Sequence, residues 1–253
     1  MARKIVITSG KGGVGKTTLA ALMGARLAKK GKKTLIVDLD SALNNLDVIT
    51  GVEGKIDFYL EDAVAGRCRA KQALVPVSQN LYVLESARTN NFLSPPQSVK
   101  VLVDGFSETF DYVLFDCPAG VDASFHRAVA CADEAIVVVN LYPTSMRDAD
   151  KVIGALKSYA LKSVVAVANR VRRDLIASGK SIAEEDCEDI LKVPVIASVP
   201  ECDELLFYDG TPLSALSPAA FAIAGLVRRI IDENYSSRAD LYVGAAKRAR
   251  WRR

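Results

Sequence analysis

Nine residues near the N-terminus constrain this chain more than any others. Gly10-Lys11-Gly12-Gly13-Val14-Gly15-Lys16-Thr17-Thr18 follow the apolar run Ile5-Val6-Ile7. A strand therefore feeds a glycine-rich loop that opens a helix, with Gly10 and Gly15 five apart and Lys16-Thr17 directly after. Glycines let successive backbone N–H groups curve around phosphate oxygens with no Cβ in the way. The helix beginning near Thr17 adds positive potential at the same point. Lys16 is placed to reach the β- and γ-phosphates of a nucleotide, and the Thr17 hydroxyl to ligate Mg²⁺.

The rest of the chain suits that loop. At 253 residues, half of them hydrophobic, one α/β domain with a sizeable core is expected. Strand-like runs fall at 3–8, 33–38, 81–85, 112–116, 134–140, 163–168 and 194–198, with helical stretches at 17–30, 97–109, 122–132, 145–160, 182–191 and 217–234. Several runs, such as Ala135-Ile-Val-Val-Val139, are continuously apolar, as strands buried on both faces must be. The expected architecture is a three-layer P-loop NTPase fold, a mainly parallel twisted sheet flanked by helices on both faces. Ligands then collect at the carboxyl ends of the strands. Residues 86–97 and 171–181 are polar and turn-rich and read as loops, and Gly31 reads as the cap after the first helix.

Composition removes some alternatives. No run of about 18 apolar residues is present, and the start lacks the pattern of a signal peptide, so a cytoplasmic body is expected. Cys68, Cys117, Cys131, Cys187 and Cys202 are scattered, with no C-x-x-C pair to suggest zinc or redox chemistry. His126 is the single histidine and reads as a surface or packing residue.

Two strand-like runs end in acidic residues. Asp38-Leu39-Asp40 closes the second run, where a carboxylate can act on a nucleotide in the neighbouring loop. Asp116 follows the apolar run 112–115 in a Walker B arrangement and is expected to hold Mg²⁺. Pro118 and Gly120 follow it in a candidate switch loop.

The motif K-G-G-x-G-K-T-T resembles the deviant P-loop of the MinD/ParA ATPase family, whose early lysine reaches across a nucleotide-sandwiched dimer. D-x-D-x-x-x-x-N-L-D at 38–47 and D-x-P-A-G at 116–120 resemble the two switch segments of its MinD branch. So does Ser145-x-Arg147-Asp148-x-Asp150 at a helix start, where Ser145 is expected to cap. The resemblance spans residues 3 to about 234. It implies that Lys11 acts in trans and Lys16 in cis on ATP, that Asp40 positions the attacking water, and that Asp38 supports the Mg²⁺ held by Thr17 and Asp116. It further implies that Asn45 lies near the dimer face and that Asn169, Pro200 and Glu201 form the adenine pocket. The implied activity is a slow, dimerisation-dependent ATPase that controls membrane attachment and division-site placement. The implied partners are a second copy and a division inhibitor or ATPase activator.

Residues 1–236 form the expected ATPase domain, and 237–253 a separate basic tail. The last seven residues carry five positive charges, which leaves 28 basic and 30 acidic residues in the rest. Family members typically end in a helix with bulky apolar residues, whereas three of five apolar-arc positions here are alanine (Ala245, Ala246 and Ala249, beside Leu241 and Tyr242). Contact with an anionic membrane, at roughly 1 kcal/mol per basic residue, is the first reading of this tail. Nucleic acid, DNA above all, and a plain solvated terminus are the two other readings, of equal standing. The alternatives for the whole chain are a flagellar-number regulator of the FlhG type and a ParA-like DNA-partitioning ATPase. Iron–sulfur relatives on this fold need paired interface cysteines, which the spacing here does not offer.

Overall fold

The computed structural model describes residues 1–40, 45–87 and 95–232. One sheet of eight strands runs through it in the order β3-β4-β2-β5-β1-β6-β7-β8. The strands are β1 (Arg3–Ser9), β2 (Thr34–Asp38), β3 (Val75–Ser78), β4 (Leu81–Leu84), β5 (Tyr112–Ala119), β6 (Glu134–Val139), β7 (Ser163–Val171) and β8 (Val195–Pro200). All neighbours pair in parallel except β3, which lies antiparallel on β4 at the edge. Pro76 in β3 lacks a ladder donor, and an edge position tolerates that.

Ten α-helices cover the described sheet: α1 (Lys16–Lys29), α2 (Leu46–Thr50), α3 (Leu60–Val64), α4 (Pro96–Asp104), α5 (Ala123–Ala130), α6 (Pro143–Leu156), α7 (Arg173–Ala177), α8 (Glu184–Leu191), α9 (Asp203–Leu206) and α10 (Pro218–Ile231). Alternate strand residues sort to opposite faces. Val6, Val37, Phe115 and Val137 pack with α3, α4, α5, α6 and α8, while Ile7, Ile36, Leu114 and Ile136 pack with α1, α2 and α10. The three-layer expectation is therefore met.

The differences from the sequence reading are local. The edge strand β3 and the short helices α2, α3 and α9 carry no usable periodicity, and α7 lies inside the expected loop 171–181. β5 continues past Asp116, because Ala119 still pairs with Ser9. α6 starts at Pro143, so Ser145 does not cap it; the Ser145 hydroxyl instead accepts a hydrogen bond from the Asn140 N–H at 3.1 Å. Proline needs no N–H in the first helical turn, which moves the start upstream of the serine. Gly31 has φ 77° and follows α1 as expected.

β1 lies between β5 and β6, and the chain leaves β1 toward β2 on one side while β6 stands on the other. The ends of β1, β2 and β5 thus open onto the reversal of strand order, where open α/β sheets place ligands. In the described residues no helix is long and apolar enough to cross a membrane.

Candidate functional site

The loop between β1 and α1 is held by groups far away in sequence. Gly13 and Gly15 have φ of 75° and 95°, a left-handed backbone that costs other residues energy. Gly15 occupies the N-cap position of α1 with no side-chain cap, so the first-turn N–H groups receive no acceptor there. Three side chains hold loop carbonyls, one from the end of β1 and two from β7. Ser9 Oγ donates to the Lys11 carbonyl at 2.8 Å, Arg170 Nη1 to that of Gly13 at 3.1 Å, and Asn169 Nδ2 to that of Val14 at 2.7 Å.

Gly10 is needed for a different reason. A Cβ at this position would run into the Asp148 carbonyl on α6 and come within 2.7 Å of the Ala149 nitrogen. Both are helix backbone and cannot step aside. Gly10→Ala is therefore expected to push the loop off α6, costing about 1–3 kcal/mol of stability and most nucleotide affinity. Thermal melting together with calorimetric titration of Mg-ADP checks both effects.

A cleft of about 490 Å³ opens beside the loop. Gly12, Gly13, Gly15, Lys16, Thr17 and Thr18 form one wall. Asp40, Asn45, Pro118 and Ala119 form the side nearest the acidic strand ends, and Asn169, Pro200 and Glu201 line the far end. Leu205 and Leu206 of α9 and Cys202, which the motifs did not point to, also border it. Lys16 is buried at 8% exposure and faces the cleft, whereas Lys11 is exposed and is not among the lining residues.

The acidic residues converge by register. Asp38 on β2 pairs directly with Asp116 on β5, and both are 1% exposed. Burial, then the charges of Asp116 and Glu85, push the Asp38 carboxyl well above its usual range. Burial likewise raises Asp116 to about 6, opposed by a hydrogen bond from the Thr17 hydroxyl and by the charge of Lys16. Asp38 Oδ1 accepts the Asp40 N–H at 2.7 Å, but Asp38 Oδ2 and Asp116 Oδ1 are buried without a hydrogen-bond partner. Two unpartnered carboxyl oxygens, on paired residues of which Asp116 also meets the Thr17 hydroxyl, fit a hard divalent cation. In the described residues no three His, Cys, Asp or Glu side chains could hold an ion by themselves. Mg²⁺ at a nucleotide keeps waters and phosphate oxygens as its other ligands, so two carboxylates and a hydroxyl suffice.

Most sequence-expected residues thus meet at one cleft. Val14 is buried under the loop and contributes through its backbone. Asn169 and Glu201 line the cleft, but their side chains are already engaged. Asn169 grips the loop, and Glu201 pairs with Arg170 at 2.8 Å and Arg172 at 3.5 Å. Glu85, 1% exposed and close enough to raise Asp38, was not singled out by any motif. His126 is exposed and pairs with the Tyr159 hydroxyl, away from this cleft. Of the five cysteines, Cys117, Cys131 and Cys187 are buried. Residues 41–44 of the first switch segment and the tail 237–253 lie outside the described residues.

The model of the CobQ/CobB/MinD/ParA nucleotide-binding domain matches residues 5–211. This chain belongs to that family. Among its members, the septum site-determining protein MinD of Synechocystis is 38% identical over 239 residues, covering 91% of this chain and 90% of its own length. The MinC:MinD cell division protein complex of Aquifex aeolicus superimposes with TM-score 0.84 at 38% identity, covering 91% of this chain and 96% of that one. Pyrococcus horikoshii MinD complexed with Mg-ADP gives TM-score 0.78 at 29% identity, covering 91% of this chain and 96% of that one. The P-loop, eight-stranded sheet and acidic strand ends described above are therefore features of a MinD/ParA nucleotide-binding domain.

Proposed function

We propose that this chain is a MinD-type ATPase whose ATP-bound form is a homodimer acting in division-site placement. The observation that carries this reading is the division of labour between two lysines. Lys16 is buried in the cleft, and Lys11, in the same loop, is exposed, where it can reach a neighbour. A Mg-ADP complex of a 29% identical MinD and a MinC:MinD complex of a 38% identical one support nucleotide use and a division-inhibitor partner.

Each residue then has a role. The backbone N–H groups of Gly12–Thr18 and the Lys16 ammonium bind the phosphates. Thr17, Asp116 and Asp38 would hold Mg²⁺ or its waters, and the bound ion would neutralise charge on the β- and γ-phosphates. Asp40, half-buried and lining the cleft, orients the attacking water. The backbone around Pro200 and Glu201, with Asn169, bounds the adenine. Lys11 completes the partner's site, so hydrolysis is slow in a monomer and dissolves the dimer when it occurs. Two copies of the basic tail on one dimer gain avidity for an anionic membrane, which couples attachment to the ATP state.

Sedimentation velocity with Mg-ATP or Mg-ADP tests this reading. Wild type is expected to be a dimer with ATP and a monomer with ADP. Lys11→Ala should still bind nucleotide yet remain monomeric, with hydrolysis lower by about 10²-fold or more. Asp40→Ala should form a dimer that persists, because its ATP is spent slowly. A wild-type monomer at saturating ATP would remove the basis for the proposal.

A further inference from the structure

Arg170 stands out by its backbone. Its φ is 55°, in the left-handed region that favours glycine and that long side chains rarely occupy. The residue lies where the pairing of β7 with β8 shifts register, between Ala168 and Val171. A non-glycine residue persists in such a conformation when its surroundings hold it there, and such positions cluster at functional sites.

The side chain shows what is gained. The guanidinium donates through Nε to Glu201 Oε1 at 2.9 Å, approaches the same oxygen through Nη2 at 2.8 Å, and donates through Nη1 to the Gly13 carbonyl at 3.1 Å. Glu201 is itself fixed at the end of β8, where its N–H donates to the Val171 carbonyl at 3.2 Å. Arg170 thus spans 157 residues of sequence to fasten the phosphate loop to the far end of the cleft.

The tie has a directional consequence. In a planar trans peptide the carbonyl and the following N–H point to opposite sides. Holding the Gly13 carbonyl toward Arg170 turns the Val14 N–H to the other face of the loop. Asn169, the preceding residue, does the same for the next peptide by holding the Val14 carbonyl. Two adjacent side chains from one strand end therefore set two successive N–H donors of the anion-binding loop.

We propose that Arg170 is a positioning residue that pre-sets the phosphate loop by anchoring the Gly13 carbonyl to Glu201. This inference rests on the nucleotide-binding reading above and adds a residue to it. Arg170 acts through the loop and not on the base.

The left-handed backbone supplies an unusual control. Glycine and asparagine both accept φ near +55°, so Arg170→Gly and Arg170→Asn remove the guanidinium without adding strain. Full-length wild type and both variants would be titrated with Mg-ADP and, separately, with inorganic tripolyphosphate, and melted without ligand. The melting temperature of at least one variant is expected to equal or exceed that of wild type. Both ligands should bind about five- to tenfold more weakly to the variants, the effect of losing one charge-assisted hydrogen bond. Arg170→Lys should recover only part of the loss, because an ammonium cannot bridge both partners in the same fork. Variants that bind both ligands within about twofold of wild type overturn the proposal, as does a loss confined to Mg-ADP, which would place Arg170 on the base. Wild type that binds neither ligand instead overturns the nucleotide-binding reading itself.

Discussion

Lys16→Ala is expected to lower ATP hydrolysis by about 10³-fold and Mg-ATP affinity by about 100-fold. Lys16 is buried against the loop, and its charge acts on Asp116. Among the described residues it is the one buried lysine lining the cleft, so none of them replaces it at the phosphates. Lys16→Arg should not restore activity, because a planar guanidinium is too large for a point-charge position at the start of α1. Phosphate release under saturating ATP and calorimetric titration measure the two effects separately. The circular dichroism spectrum should not change, since the lysine serves the ligand more than the core.

Asp116→Asn should move activity and stability in opposite directions. Hydrolysis is expected to fall about 10²- to 10³-fold with loss of an oxygen ligand for Mg²⁺. The nucleotide-free protein should become more stable by about 1–3 kcal/mol, because burial holds Asp116 at about 6 against an ordinary 3.8. The pH dependence follows from the sign of that shift. Between about 4 and 6 the folded protein keeps a proton that the unfolded chain has released. The contribution of Asp116 to the unfolding free energy of the nucleotide-free wild type therefore falls as pH rises through this window and levels off above it. Asp38 is raised by burial and then by the charges of Asp116 and Glu85, so it acts in the same direction. Thermal melts from pH 5 to about 7.5 should show the decline in wild type, a shallower one in Asp116→Asn, and little of it with Mg-ADP bound. A wild-type melting temperature that rises across this range would contradict the account.

What could be read from the sequence follows from the range of the interactions involved. The phosphate loop was legible because its function is local: glycine, lysine and threonine at fixed spacing, between an apolar run and a helix. Buried parallel strands were legible because both faces must be apolar, as in Ala135–Val139. The convergence of Asp38 and Asp116 followed from two strand ends, although only the sheet order makes them neighbours. The remaining features depend on contacts between distant segments. Nothing local marks Gly10 as the residue that lets the loop meet α6 at Asp148, or Arg170 as the anchor of Gly13. The family resemblance puts Asn169 beside the adenine; it lines the cleft, but its amide grips the loop as well. Short helices such as α2 and α9 offer too few turns for a periodic pattern. Ser145 misled for a simpler reason: Pro143 is itself a good first-turn residue, so the helix begins before the serine.

The proposed switch needs one triphosphate held by the glycine loop of one copy and touched by a lysine of another. A crystal structure of the full-length protein with Mg²⁺ and a non-hydrolysable ATP analogue tests this most directly. Two copies are expected to face each other across the nucleotides, with phosphates against the backbone of residues 12–18 and each Lys11 ammonium on the partner's phosphates. A nucleotide bound by a lone subunit, with Lys11 in solvent, would contradict it.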